Sequence, residues 1–442
     1  MHPLLILTII LVLLILGIVK FKIHPFIALI IAGLVLGVAS GMPISVSTGH
    51  LLEGFASTMK WIGIIMVLGT VIGEILNETG GTERIARTVI RLVGPKRVPL
   101  TMGITGYFIA IPVFVDVAYI MLQSITESLS VASRRNVLVV GLSLTAGLTA
   151  THALLPPTPG PLAAAGIMEA SIGRVILINL VVALFAATAG VLWASIFCRR
   201  YKLPYDNLLQ EKYRNVEITN TGNSYFKSVG AFAPILLPII LIALGSLAQP
   251  GTGVINSRLL ESLGIPAVAL LLGLFIAALF IKGSIRSGKV NTIIEKSIEK
   301  SATVLLITGA GGAFGGVIKA AQIGDSAATL VAQAGFPGYI LPFLLAAALT
   351  TTTGSITVSM VTSSSIVVSM LPLLNISPEM AVALVGAGSF CVFHANSSFF
   401  WLLGKMHQVP PQVLFRTFTV QSLLMGIGGG VGIAVLWLIG VR

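Results

Sequence analysis

Apolar stretches follow one another along the whole chain, with no soluble-type segment between them long enough to enclose a core. They cover about residues 3–19, 25–41, 61–76, 98–129, 136–168 and 172–198, then 229–248, 266–281, 302–318, 338–371, 379–404 and 417–440. Backbone polar groups in lipid must be satisfied within the protein, so stretches of this length and apolarity fold as helices. Charged residues make up 10% of the 442 and hydrophobic residues 55%, where a soluble domain carries roughly a quarter charged. That balance excludes a soluble enzyme, a nucleic-acid-binding module and a disordered protein. The expected class is an all-α polytopic membrane protein. Forty-seven glycines and 21 prolines point to interrupted helices, which are tolerated at membrane depth where neighbours re-satisfy the backbone. Lys20 and Lys22 follow the first apolar run rather than precede it, the reverse of a secretory signal, so a retained first span is expected. Cys198 and Cys391 lie in or beside apolar segments and imply no disulfide framework.

The pattern restarts after a polar stretch at 199–228. Residues 1–198 read as a first transmembrane repeat, 199–228 as a cytoplasmic linker and 229–442 as a second repeat. Gly69 pairs with Gly309, His152 with His394, and the segment around Asp116 with Thr350–Thr357, at offsets near 240. Give each half five spans plus one re-entrant helical hairpin (98–129 and 338–371), with the first residue outside. Then 22 of the 27 Lys and Arg fall inside, as the positive-inside rule requires. An odd number of spans per half makes the two repeats inverted in topology, the usual trace of a transporter whose site lies between broken helices at the midplane.

Those breaks carry the candidate chemistry. Asp116, in Ile111-Pro112-Val113-Phe114-Val115-Asp116, is ionisable and flanked by apolar residues, which at membrane depth marks a binding or coupling group; a helix cap is the structural alternative. His152 and His394 occupy matching positions in apolar surroundings, as substrate hydrogen-bond donors, proton relays or plain interhelix bonders. The run Thr350-Thr351-Thr352-Thr353-Gly354-Ser355-Ile356-Thr357 offers hydroxyls that can hold a carboxylate without a buried charge, or that simply back-bond to their own helix. No ligand-spaced cluster suggests a metal, and no cofactor is implied. Gly309–Gly316 lacks the ending of a phosphate loop and reads as a helix-packing ridge. No His-Glu-x-x-His or Gly-x-Ser-x-Gly motif suggests an intramembrane enzyme.

At these residues the chain resembles the gluconate permease family of proton symporters. The most specific stretch is Thr151-His152-Ala153-Leu154-Leu155-Pro156-Pro157-Thr158-Pro159-Gly160-Pro161. Gly354-Ser355-Ile356-Thr357-Val358, Ile307–Phe314 and His394-Ala395-Asn396 with Phe400-Trp401 support it. The resemblance implies import of gluconate or a related small organic or sugar acid with a proton, an elevator-like motion and a homodimer in the cell inner membrane. It assigns substrate contacts to Asp116, His152, Thr353, Gly354, Ser355, Thr357, His394, Asn396 and Ser397, with proton coupling at Asp116, His152 or His394. Departures from the family pattern include Asp116 where Glu is frequent, Thr158 for a second His, and no Arg near Thr350. They keep smaller carboxylates of the glycerate or D-serine type, sodium coupling, and a passive anion channel as alternatives.

Overall fold

The computed structural model describes residues 3–94, 97–201, 203–213, 230–248, 258–279, 281, 287–321 and 338–441. Part of the expected linker, including Arg214, Glu217 and Lys227, lies outside these, as do Lys96, Lys202, Lys282, Arg286 and Arg442. Every regular element among the described residues is helical.

The first part of the chain runs through α1 (Pro3–Val19), α2 (Pro25–Ala39), the long α3 (Ile44–Glu78) and the amphipathic α4 (Gly81–Val93). Next come α5 (Val98–Ile109), α6 (Val115–Met121), α7 (Gln123–Ala132), α8 (Val137–Leu154), α9 (Pro159–Ile167), α10 (Ile172–Ile196) and the short α11 (Pro204–Lys212). The second part has α12 (Ala233–Leu247), α13 (Arg258–Leu263), α14 (Pro266–Leu279) and the long α15 (Ser287–Ala320). It continues with α16 (Leu341–Thr353), α17 (Ile356–Val367), α18 (Leu371–Leu374), α19 (Pro378–Gly388), α20 (Ser398–Met406), α21 (Pro411–Leu414) and, after a π turn at Phe415–Thr419, α22 (Val420–Leu438). In both parts a long helix is followed by shorter helices, an interrupted helix and a final long helix; α16 and α17 pack against each other as a hairpin, whereas α5 packs chiefly on α8 rather than along α6 or α7. Among the described residues five helical stretches are long and apolar enough to cross a membrane: 44–78, 137–167, 172–200, 290–320 and 411–438.

Interior and surface are set by side-chain size more than by polarity. All of α8 is buried, and it forms the centre against which α5 and α10 pack. Outward faces carry large apolar residues such as Ile64, Leu184, Phe275 and Leu438, as a lipid-facing surface requires. Small residues bring backbones together at the inner seams. A Cβ on Gly54 would lie 2.3 Å from the Gly312 carbonyl oxygen, and one on Gly147 would lie 2.0 Å from that of Gly103. The Gly309–Gly316 ridge on α15 therefore packs against α3 through Gly54 and Thr58, and against α17 through Val361 and Ser365. Close approach of this kind is how helices associate where no hydrophobic gain separates protein from lipid.

The start of the expected linker is docked rather than free. Glu127 on α7 is 1% exposed and accepts hydrogen bonds from Gln123 (2.8 Å), Tyr205 (2.9 Å), Lys212 (2.9 Å) and Tyr213 (3.0 Å). The carboxylate beside it holds the Lys212 ammonium above its usual range. Glu127→Ala is expected to cost about 1–3 kcal/mol, because the whole set of donors loses its acceptor. Lys212→Met should cost under about 1 kcal/mol, since its ammonium is mostly in water. Thermal unfolding of the purified protein, with trypsin cleavage at Arg199 and Arg200 as a local probe, checks both. Equal losses in the two variants would contradict a carboxylate-centred dock.

Candidate functional site

The α16–α17 hairpin turns on Gly354, whose φ of +70° places it in the left-handed region where a residue without Cβ is favoured. Ser355 then caps α17, its Oγ accepting from the Val358 N–H at 3.4 Å. The break at 389–397 closes over this tip. Asn396 Nδ2 donates to the carbonyls of Thr350 (3.0 Å) and Thr351 (2.8 Å), and His394 Nε2 donates to that of Thr351 (2.8 Å). These are last-turn carbonyls, which a helix end otherwise leaves without partners. The contact is tight: a Cβ on Gly354 would sit 2.3 Å from the Asn396 carbonyl oxygen. Thr353, Gly354, Ser355, His394 and Asn396 are thus brought together, with the buried Ser397 next in the chain.

The threonine run divides by position. Thr351, Thr352 and Thr353 return their hydroxyls to carbonyls one turn back, while Thr350 donates to the Ser389 carbonyl at 2.8 Å. Their oxygens keep lone pairs for accepting, but their protons are occupied. Thr357 is half-buried in the first turn of α17 and, among the described residues, makes no side-chain hydrogen bond.

In the first part of the chain α5 and α6 are separated by a break around Pro112, whose fixed φ and missing N–H disfavour a continuous helix. The break is pressed onto α3, where a Cβ on Gly73 would meet the Pro112 carbonyl oxygen at 2.0 Å. Asp116 stands exposed in the first turn of α6 and makes no hydrogen bond or ion pair among the described residues. Two residues before it, the Phe114 ring lies 5.8 Å from that of His152. His152 is 8% exposed on the last turn of α8, and its Nδ1 has no hydrogen-bond partner among the described residues. Beyond it the chain breaks at Leu155–Thr158, where Pro157 packs against Gly69 of α3 and the Pro156–Pro157 bond is cis. Phe114, and not Asp116 itself, is thus what meets His152, and no described hydrogen bond or ring contact joins Asp116 or His152 to the Gly354 tip. The two histidines, alike in sequence position, differ in setting: His152 sits in a helix and His394 in a break.

Near the breaks, contacts between the two parts of the chain include the following. The Gly160 backbone packs on Met360, Leu154 packs on the Gly386 backbone, and the Tyr119 ring stands edge-on to Phe399 at 5.4 Å. Tyr119 Oη also lies 2.8 Å from His407 Nε2. None of Phe114, Thr158 or Ser397, which precede α6, α9 and α20, caps its helix with a side chain. The starts of α6 and α20 present unspent N–H groups and a positive dipole end, suited to the oxygens of an anion, whereas α9 opens Pro159-Gly160-Pro161 and has only the Gly160 N–H free in its first three residues.

Sequence reasoning missed the residues that hold the breaks open. Asn179, fully buried on α10, donates to the Leu154 carbonyl at 2.7 Å. Ser422 on α22 accepts from the Phe393 N–H at 2.9 Å. Each is a polar residue inside an apolar helix, at matching places in the two parts, and that isolation was a usable signal. Gln421, also fully buried, donates to the carbonyls of Leu142 and Gly190.

Interrupted helices with small polar residues at their breaks, set among membrane-length apolar helices, define a multi-pass membrane permease. The sequence matches the GntP family permease profile over residues 2–439, and the chain belongs to that family. It is 34% identical over 429 residues to a gluconate permease of Pseudomonas aeruginosa, covering 96% of this chain and 94% of that one. It is 30% identical over 440 residues to the Gnt-II system L-idonate transporter of Escherichia coli K12, covering 98% of each. The fold is similar to that of the YdaH transporter of Alcanivorax borkumensis, described as having an unusual topology, with a TM-score of 0.70 at 18% identity over 94% of this chain and 99% of that one. Relatives along the whole length are permeases and transporters, and this protein is a transporter rather than an enzyme.

Proposed function

We propose that this permease is a secondary active transporter importing gluconate or a closely related small sugar acid together with a proton. The carrying observation is the full-length similarity to two relatives named for gluconate and for L-idonate, both polyhydroxy carboxylates. The uncapped helix start at 398 would receive the carboxylate, and the hydroxyl-rich tip at Thr353–Thr357 with Asn396 and Ser397 would receive the substrate hydroxyls. Asp116 is the group we assign to proton coupling, with His152 as the second candidate; His394, whose Nε2–H is held by the Thr351 carbonyl, would accept from a substrate hydroxyl at Nδ1. The recurring element order supports two inverted repeats, at 1–198 and 229–442, meeting at this site. An elevator-like motion of a homodimer in the inner membrane completes the reading.

A thermal-shift series on purified protein tests the substrate class, using gluconate, L-idonate, glycerate and D-serine. A ligand at a hundred times its Kd stabilises by about 2.7 kcal/mol, well within measurement. Gluconate or L-idonate is expected to raise Tm and glycerate and D-serine to do less. Stabilisation by a neutral sugar with none by any carboxylate would overturn the anion reading. Uptake that never exceeds equilibrium and ignores an uncoupler would mark a passive channel instead.

A further inference from the structure

The outer surface of α5 and α10 carries a feature that transport does not use. Leu100, Ile104, Phe108, Leu184 and Leu192 line an apolar groove of about 770 Å³ between these helices. Tyr107 keeps the groove floor dry by donating its hydroxyl to the Leu180 carbonyl at 2.9 Å. One end is different: Arg97, where α5 begins, and Arg135, just before α8, both border it. Arg135 also borders a polar recess of about 890 Å³ that contains Arg134 and Arg199. The carboxylate among that recess's described residues, Asp206, is engaged by the Val137 N–H at 2.8 Å and the Leu203 N–H at 3.2 Å. The recess is thus left with a strong positive character.

We infer that this groove is a binding site for an anionic glycerophospholipid, its acyl chain against α5 and α10 and its phosphate between Arg97 and Arg135. Three observations converge. The first is shape and polarity: a groove lined by exposed aliphatic and aromatic groups suits a hydrocarbon chain. The second is length. From Arg97 to Phe108 the helix rises about 16 Å, roughly half of a hydrocarbon core about 30 Å thick, so the groove spans one leaflet. The third is charge: guanidinium groups sit at one end only, where a headgroup of that leaflet would lie, and they bind phosphate oxygens bidentately. Exposed Arg87 and Arg91 on the neighbouring amphipathic α4 extend the positive surface at the same end. Basic pockets at the end of membrane helices are a recognised setting for anionic headgroups. A zwitterionic lipid would fill the same groove but bring a trimethylammonium or ammonium group towards the arginines.

The test uses full-length protein purified in a neutral detergent, with native mass spectrometry and thermal unfolding in the presence of dioleoylphosphatidylglycerol or dioleoylphosphatidylcholine. The expected result is selective retention of, and stabilisation by, phosphatidylglycerol. Arg97→Gln with Arg135→Gln removes two charge-assisted, bidentate guanidinium–phosphate contacts, which a merely nearby charge does not make, and should weaken the selectivity by at least about 30-fold. The same charge change made off the groove, Arg87→Gln with Arg91→Gln, should leave most of it. Equal losses in the two double variants would mean a diffuse surface effect and overturn the site, as would equal retention of both lipids by the parent. A second copy of the chain seated in the groove would also overturn it. That outcome would appear as an inter-protomer disulfide from Leu184→Cys in a background where Cys198 and Cys391 are serine. None of these readouts requires substrate, so they stand or fall apart from the transport reading.

Discussion

Asp116→Asn is expected to leave a folded permease that exchanges substrate but no longer concentrates it. The substitution keeps the side chain's size and hydrogen-bonding reach and removes only its ability to carry a proton. Because Asp116 is exposed and pairs with no described residue, stability should change by no more than about 0.5 kcal/mol. A gradient of one pH unit is worth about 1.4 kcal/mol per proton, enough for about tenfold accumulation. In proteoliposomes with such a gradient the parent should therefore reach about a tenfold ratio and the variant a ratio near one, with counterflow of labelled against unlabelled substrate preserved in both. Full proton-driven accumulation by the variant would place coupling on another group, His152 first. If sodium is the driving ion, its dependence should survive the substitution largely intact.

The second large effect is expected from Gly354→Ala. Two costs coincide there. A left-handed backbone costs an L-residue roughly 1–2 kcal/mol, and the new methyl group would lie 2.3 Å from the Asn396 carbonyl oxygen, a backbone atom that cannot rotate away. Relief requires the hairpin tip to part from the break, which pulls Asn396 and His394 off the Thr350 and Thr351 carbonyls. Transport is expected to fall by at least about tenfold, with a loss of about 1–3 kcal/mol of stability from the overpacking. Gly41, with φ of +90° and nothing within 4 Å of an added Cβ, is the control. Gly41→Ala pays only the backbone strain and should transport normally. A Gly354→Ala protein with parental uptake would show that the tip and the break need not stay in register.

Much of the architecture was legible because lipid leaves few solutions. Proline and glycine marked the breaks at Pro112 and Gly354 and the interruptions at 155–158 and 389–397, since each removes a donor or permits a sharp turn inside an otherwise apolar run. The site was legible in part. Gly354, His394 and Asn396 meet as neighbours, whereas in the first part it is Phe114 rather than Asp116 that meets His152. The matched offset of the histidines, however, gave no hint that one would be helical and the other would cap the end of a helix. Hydroxyl density at Thr351–Thr353 was also a weak guide, because a threonine's local backbone acceptor is always within reach. Glu127 escaped notice because its partners Tyr205, Lys212 and Tyr213 come from a stretch whose polarity reads as a tether, and pairing over 78 to 86 positions leaves no periodic trace. Asn179 and Ser422 were hidden for a similar reason. Each acts on backbone atoms, which carry no sequence identity.

The seams where glycine meets backbone carry a further implication. Where α3 meets α15 at Gly54 and Gly312, and α5 meets α8 at Gly103 and Gly147, carbonyl and Cα atoms interlock like gear teeth. Sliding either pair by even one residue would drive a side chain into a slot sized for hydrogen. Each pair therefore resists sliding, and under the proposed transport cycle any shear between helices would run along boundaries upholstered with interchangeable aliphatic chains.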